Sequence, residues 1–307
     1  MIFLTALFGF VVTFTIAIIS KNALRETVIE TKNEADGSAD QYQDVRFTLV
    51  NGKVVREFLT EEQIAEEDAV IKREKERVEA AKKATEMVQT AQVAQYVPPE
   101  GPKIVYLTFD DGPGPDTERL LDILKKYNVK ATFFVTCNRV GYRNAITRAA
   151  KEGHSIGLHT CSHDYARIYA SDEAYFADLN DVSNMVKELT GNETKLIRFP
   201  GGSSNTVSKL YSAGIMSRLV SSVTERGYAY FDWNVSSGDA GNIFDTGTVY
   251  NNITRSLRGD YSIVLQHDIK GFSVDAVEAV IQFGQKYGFT FKALDASSPT
   301  AHHRINN

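Results

Sequence analysis

The chain has 307 residues, 43% hydrophobic and 24% charged, which suits a globular protein with room for one large domain and accessory segments. A net charge of −5 argues against a nucleic-acid partner. Two cysteines, Cys137 and Cys161, rule out a multi-disulfide scaffold or a CxxC zinc pattern; they can pair with each other, but on their own they leave the compartment open.

Residues Ile2 to Ser20 carry no charge and are rich in Phe, Leu, Val and Ile. As a helix they span about 28 Å, close to the hydrocarbon thickness of a bilayer. A signal-peptide core is shorter, about 7–15 residues. Ser20-Lys21-Asn22-Ala23 is also a poor cleavage site. Residues 1–20 are therefore expected to form a transmembrane anchor, with a cleaved signal or a buried soluble helix as the alternatives. Lys21, Arg25 and Lys32 follow the segment and no charged side chain precedes it, so the positive-inside rule taken literally puts the bulk of the chain in the cytoplasm. Large domains cross regardless of flanking charge, and an exterior domain stays compatible.

Residues 21–102 read as a spacer. Val45 to Val50 and Lys53 to Leu59 flank Asn51-Gly52, a strong hairpin signal. Thr60 with Gln63 makes a capping box ahead of a charged helix over 60–95. Ile64, Ile71 and Val78 recur at seven, but Glu67 and Glu74 stand at the companion positions, which favours a solvated single helix over a coiled coil. Pro98-Pro99-Glu100-Gly101-Pro102 marks the boundary to a domain over 103–296.

In that domain apolar strand candidates at 104–109, 131–136, 155–158, 196–199, 228–232, 262–265 and 289–293 alternate with amphipathic helices. Asp116 is the expected cap of the first helix, Gly191 closes a stripe that begins at Tyr175, and Val277, Val280 and Ile281 line the last helix. The alternation predicts a parallel α/β sheet closed into a barrel, whose chemistry gathers at the C-terminal strand ends. The polar tail 297–307, with His302 and His303, is expected to be disordered.

Rarer residues fall at those strand ends. Asp110 and Asp111 end the first strand and serve one site only if the chain is already turning, which Gly112-Pro113 allows. His159 and His163, four apart, can share a metal, and a carboxylate beside two imidazoles leaves positions open for water and substrate. His154, in a helix-to-strand turn, reads as structural. Arg198 at the fourth tip can hold a carboxylate in a bidentate pair, and Pro200-Gly201-Gly202 lets backbone N–H groups approach a ligand. Asp232-Trp233-Asn234, Asp239 and Leu265-Gln266-His267-Asp268 complete the set.

Thr108-Phe109-Asp110-Asp111-Gly112-Pro113, His159-Thr160-x-x-His163, Arg198-Phe199-Pro200-Gly201, Asp232-Trp233-Asn234 to Asp239 and Leu265-x-His267-Asp268 occur in one order over residues 103–295. In this they resemble the polysaccharide deacetylases with a NodB homology domain (carbohydrate esterase family 4). The resemblance implies a distorted (β/α)7 barrel in which Asp111, His159 and His163 bind a divalent metal, usually zinc. It implies Asp110 as general base, Arg198 as its holder, His267 as general acid and Asp239 as the partner of that acid. Leu265 would line the acetyl slot, with Pro200, Gly201 and Trp233 facing substrate. Many members carry Tyr where Gly201 stands and Trp where Ala240 follows Asp239, and both differences widen the cleft. Cys161, between two candidate ligands, reads as a bystander.

The expectation is a deacetylase acting on N-acetylglucosamine units of a wall polymer, peptidoglycan first, anchored in the cell membrane with its catalytic domain outside, or secreted if the leader is cleaved. Chitin-type oligomers and acetylxylan are the alternative substrates. An inactive wall-binding module is the alternative outside enzymes.

Overall fold

The computed structural model describes residues 45–50, 53–58, 61–90, 96–242 and 244–307. The anchor expected at 1–20 lies outside them, as do Thr60 and the turn at 51–52. Among the described residues no helix is long and apolar enough to cross a membrane. The chain divides into two compact units, Met1–Ile71 and Lys72–Asn307. In the first, β1 (Val45–Val50) and β2 (Lys53–Phe58) pair antiparallel with Val50 opposite Lys53.

Helix α1 (Glu61–Thr90) opens ahead of the second unit and ends within it. Residues ahead of 103 also make contacts within the second unit. Arg77 donates to the Asp116 carboxylate, Tyr96 packs on Phe283 and Tyr287 with ring centroids 4.8 and 4.6 Å away, and Lys103 N donates to Gly259 O at 2.7 Å. Residues 72–102 therefore belong to the larger unit.

Eight parallel strands form one curled sheet in the order β7 (Ala229–Tyr230), β6 (Leu196–Ile197), β5 (Ser155–Leu158), β4 (Thr132–Val135), β3 (Ile104–Asp110), β9 (Tyr261–His267) and β8 (Val235–Ser236), with β10 (Thr290–Phe291) added beside the start of β3. The edge strands β7 and β8 are close in sequence. At about 3.5 Å per residue the link from Tyr230 to Val235 reaches about 18 Å at most. A flat sheet would hold those edges about 29 Å apart, from six strand spacings of about 4.8 Å. The sheet must therefore curl. It does not close as the expected barrel does, because β7 and β8 do not pair with each other. The two-residue β8 is too short to show a period. Its pairing is extended by Asn234, whose side chain accepts from Ile263 N at 2.8 Å and donates to Tyr261 O at 3.1 Å.

Alternation along each strand sets the layers. Val105, Leu107 and Phe109 face the helices and join the large outer core, while Tyr106 joins Phe134, Leu196, Phe231, Ile263 and Leu294 inside the curl. Outside it pack α2 (Thr117–Lys126), α3 (Asn144–Lys151), α5 (Asp172–Thr190), α6 (Ile215–Glu225), α7 (Thr246–Thr254) and α8 (Gly271–Lys286), with the one-turn α4 (Tyr165–Ile168) at the rim. Gly191, at φ 73°, ends α5 in the left-handed conformation that glycine adopts without cost. Asp116 stands at the start of α2 but makes no side-chain cap; its carboxylate is taken by Arg77 and Arg119.

The tail expected to be disordered is packed. His302 stacks on Tyr230 at 3.7 Å between centroids and its Nε2 meets Tyr230 O at 3.0 Å. His303 N donates to Asp232 Oδ2 at 2.9 Å, and Gly214 N donates to Asn307 Oδ1 at 2.7 Å. Deleting residues 302–307 is expected to lower the melting temperature by several degrees, since about 1 kcal/mol moves a domain of this size by about 2–4 °C. Thermal denaturation followed by circular dichroism reads this directly, and an unmoved midpoint would mean that these contacts add nothing.

Candidate active site

Asp110 points into the curl because it is in phase with Tyr106 and Thr108 on β3. Asp111 would face outward by the same rule, but it lies at φ 71°, a left-handed conformation that turns its carboxylate back to the same side. The glycine that follows is required by packing. A Cβ on Gly112 would lie 2.3 Å from the carboxylate oxygens of Asp268.

Arg198 is fully buried beneath Asp110. Its Nη1 donates to Asp110 Oδ1 at 2.8 Å and to Thr108 Oγ1 at 2.6 Å, Nε to Phe231 O at 2.9 Å, and Nη2 to Asp232 O at 3.0 Å. The guanidinium lies 4.4 Å above the Phe134 ring. Its pair with Asp110 uses one carboxylate oxygen, where a bidentate pair was expected, because the other guanidinium nitrogens are spent on main-chain carbonyls.

His159 and His163 stand with Asp111 as a set whose ligand atoms all lie within 4.8 Å of one another. Asp111 Oδ1 is 3.5 Å from His159 Nε2 and 3.3 Å from His163 Nε2, and it is buried without a hydrogen-bond donor. His159 Nδ1 sits 2.8 Å from Arg198 O, so this nitrogen carries the proton and Nε2 keeps its lone pair toward the set. A carboxylate oxygen lacking a donor between two imidazole nitrogens fits a divalent cation. Burial opposes ionisation of Asp111, yet His159, His163 and His267 together hold its pKa below the usual carboxylate value. Burial also depresses His159, favouring the neutral imidazole that a metal needs.

The loop carrying these imidazoles is tied down by contacts that local sequence does not disclose. Thr160 and His163 take positive φ of 63° and 52°. Asp178, on α5, accepts from Cys161 N at 2.6 Å and Ser162 N at 2.9 Å. Cys161 is no bystander, because it forms a disulfide with Cys137, and Cys137 N also donates to Cys161 O at 2.9 Å. Replacing both cysteines by serine is expected to cost about 2–4 kcal/mol and to weaken divalent-cation binding. Calorimetric titration with zinc beside a thermal melt checks both effects. Unchanged values would mean that the hydrogen bonds of Asp178 and of Cys137 N hold the loop without the disulfide.

His267 ends β9 in phase with Ile263 and Leu265. Its Nδ1 is 2.8 Å from Asp239 Oδ1, and its main-chain N donates to Asp239 Oδ2 at 2.8 Å. Ser273 Oγ also donates to Oδ2, at 2.6 Å. Burial disfavours the imidazolium, but the hydrogen bond and charge of Asp239, helped by Asp110 and Asp111, push His267 up to about 9. Its Nε2 stands 3.9 Å from Asp111 Oδ2, so the base and acid candidates flank the metal set.

Leu265 is buried on the His267 side of β9 and joins neither apolar cluster. Pro200 is buried, and Gly201 is exposed at φ 77° with its N–H donating to no acceptor among the described residues. Trp233 is wedged between Gly202, His303 and Arg198, and so supports the site from the side. Asp232 faces away from the reaction. Its carboxylate accepts from Ser203 N at 2.8 Å and from the Ser203 hydroxyl. His154 is structural as expected, its Nδ1 accepting from Ala131 N at 3.1 Å.

The strand-end motifs by themselves give no role to Thr108, Asp178, Ser273 or Asp268. Thr108 carries a signal that could have found it, two residues before Asp110 on one strand face. Asp268 accepts from Thr117 Oγ1 at 2.5 Å, and burial first, then the charge of Asp111, pushes its carboxyl up to about 7.

An α/β sheet with a candidate base, a candidate acid and a two-His–carboxylate set at its C-terminal strand ends is the equipment of a hydrolase that cleaves acyl groups. The polysaccharide deacetylase family model matches residues 98–215. A peptidoglycan-N-acetylglucosamine deacetylase of Bacillus cereus is 31% identical over 64% of this chain and 71% of its own length. The peptidoglycan-N-acetylmuramic acid deacetylase PdaA of Bacillus subtilis is 30% identical over 63% and 70%. Among solved structures, the catalytic domain of a peptidoglycan N-acetylglucosamine deacetylase from Eubacterium rectale is 54% identical, with TM-score 0.66, over 70% of this chain and 99% of that one. The chain belongs to the polysaccharide deacetylase family.

Proposed function

We propose that the protein removes N-acetyl groups from N-acetylglucosamine units of peptidoglycan with the help of a divalent cation, zinc in the first instance. One observation carries this reading. Asp110 on Arg198, the Asp111–His159–His163 set and His267 on Asp239 lie together at the strand tips. The Eubacterium rectale domain, similar along almost its whole length, is named for that activity.

The cation, when bound, supplies Lewis acidity toward the acyl oxygen and toward water. Arg198 occupies Asp110 Oδ1, which leaves Oδ2 to take the proton of the attacking water. The Gly201 N–H is available to the acyl oxygen as it gains charge. His267, protonated against Asp239, gives its proton to the departing nitrogen. We place the enzyme at the outer face of the membrane or beyond it, where this polymer lies, carried there by the apolar segment 2–20.

The test is acetate release from purified peptidoglycan, with and without chelator. Release that chelator abolishes and zinc restores is the expected result. Release from chitin oligomers or acetylxylan but not from peptidoglycan would keep the reaction and replace the substrate. Chelator-insensitive release would remove the cation from the reading.

A further inference from the structure

Tyr165 has no part in the machinery described above, yet its side chain stands within the site. It opens α4, whose first turn is fixed by Asp164 accepting from Ala166 N at 3.0 Å and Arg167 N at 3.4 Å. The ring packs edge-on against His163 and Tyr169, with centroids 5.6 and 5.5 Å away, so it is braced on two sides. Its hydroxyl lies where residue 201 lacks a side chain, because a Cβ built on Gly201 would come within 2.5 Å of Tyr165 Oη. The residue is half-buried, and Oη has no hydrogen-bond partner among the described residues.

Packing alone does not account for this hydroxyl. Phenylalanine would make the same ring contacts, and only tyrosine adds a hydroxyl at the edge of the site. The neighbouring donor, the N–H of the exposed Gly201, also has no acceptor among the described residues. Two donors without acceptors thus stand side by side next to His163. The group that fits them is an oxygen delivered by the substrate.

We propose that Tyr165 is a catalytic residue, donating its O–H to the acyl oxygen of the bound acetamido group beside the Gly201 N–H. This rests on the deacetylase reading and adds to it a side-chain donor from the first residue of α4, two positions past His163. The acyl oxygen gains negative charge as water adds, so a donor held in advance strengthens most at that moment. Glycine at 201 is then doubly required, by its φ of 77° and by the phenol it leaves room for.

The test compares the full-length, zinc-loaded protein with its Tyr165→Phe variant, which keeps the ring contacts. Acetate release from an N-acetylglucosamine oligomer or peptidoglycan is expected to lose about tenfold to a hundredfold in kcat, with KM nearly unchanged. Zinc affinity is expected to stay the same. Acetohydroxamate, a small acyl mimic, is expected to bind the variant about five- to tenfold more weakly by calorimetry. Wild-type kinetics in the variant, a loss confined to KM, or a loss explained by weaker zinc binding through His163 would overturn the proposal. If the wild-type protein releases no acetate from any polymer, the deacetylase reading fails. The hydroxamate comparison still decides on Tyr165, since equal affinities would overturn its role and weaker binding to the variant would uphold it.

Discussion

Replacing Asp110 by asparagine is expected to lower kcat for acetate release by about three orders of magnitude while zinc binding persists. Asp110 is 3% exposed, its Oδ1 is held by Arg198 at 2.8 Å and its Oδ2 is 3.8 Å from His159 Nε2, so it faces the Asp111–His159–His163 set. Asparagine keeps the shape and an oxygen for Arg198 but cannot take a proton. The substitution also leaves a fully buried guanidinium without the one carboxylate that pairs with it among the described residues. Stability should therefore fall, by up to about 3–5 kcal/mol. The two effects separate in measurement: kcat per folded molecule reports the base, and a denaturant titration reports the lost pair. Asp111, His159 and His163 are untouched, so cation binding serves as the internal control. An asparagine variant that turns over at the wild-type rate would remove Asp110 from the role of base.

The second large effect concerns the acid. His267 stands at about 9 because Asp239 outweighs the cost of burial. A general acid works in its protonated form, so the rate is expected to hold up to that region and fall as pH rises through about 9. Asp239→Asn removes the hydrogen-bonded charge, and burial then drives the pKa back toward or below the ordinary 6.5. The alkaline limb of the pH–rate profile should move down by more than about one unit, with a loss of kcat at neutral pH. The same pair has a stability signature. A folded-state pKa above the unfolded 6.5 makes its contribution complete below that pH, and the contribution is lost as pH rises through about 9. A limb that stays in place in the Asp239→Asn variant would show that something other than His267 titrates there.

Much of the site is legible in the order of the amino acids. Asp110, Asp111, His159, His163, Arg198, Asp239 and His267 all fall at strand ends, where an apolar run gives way to polar residues and glycine, and the fold brings all of them together. What is not legible there depends on partners far along the chain. Whether Asp116 caps its helix depends on Arg77, which claims the carboxylate from the preceding helix. Cys161 reads as a bystander because spacing does not show that Cys137 lies beside it. The tail reads as disordered from its polarity, yet Asp232 and Tyr230 offer its histidines acceptors and a ring to stack on.

The amino-acid sequence by itself determined the alternation of strands and helices, the residue types at each strand tip and the spacing of the two imidazoles, since these rest on periods of two and 3.6 and on turns a few residues long. Only the tertiary structure decided that the sheet curls without closing, that Arg198 lies beneath Asp110 from 88 positions away, and that Tyr165 fills the space Gly201 leaves. These features depend on which distant segments share a volume, and local propensity carries no record of that.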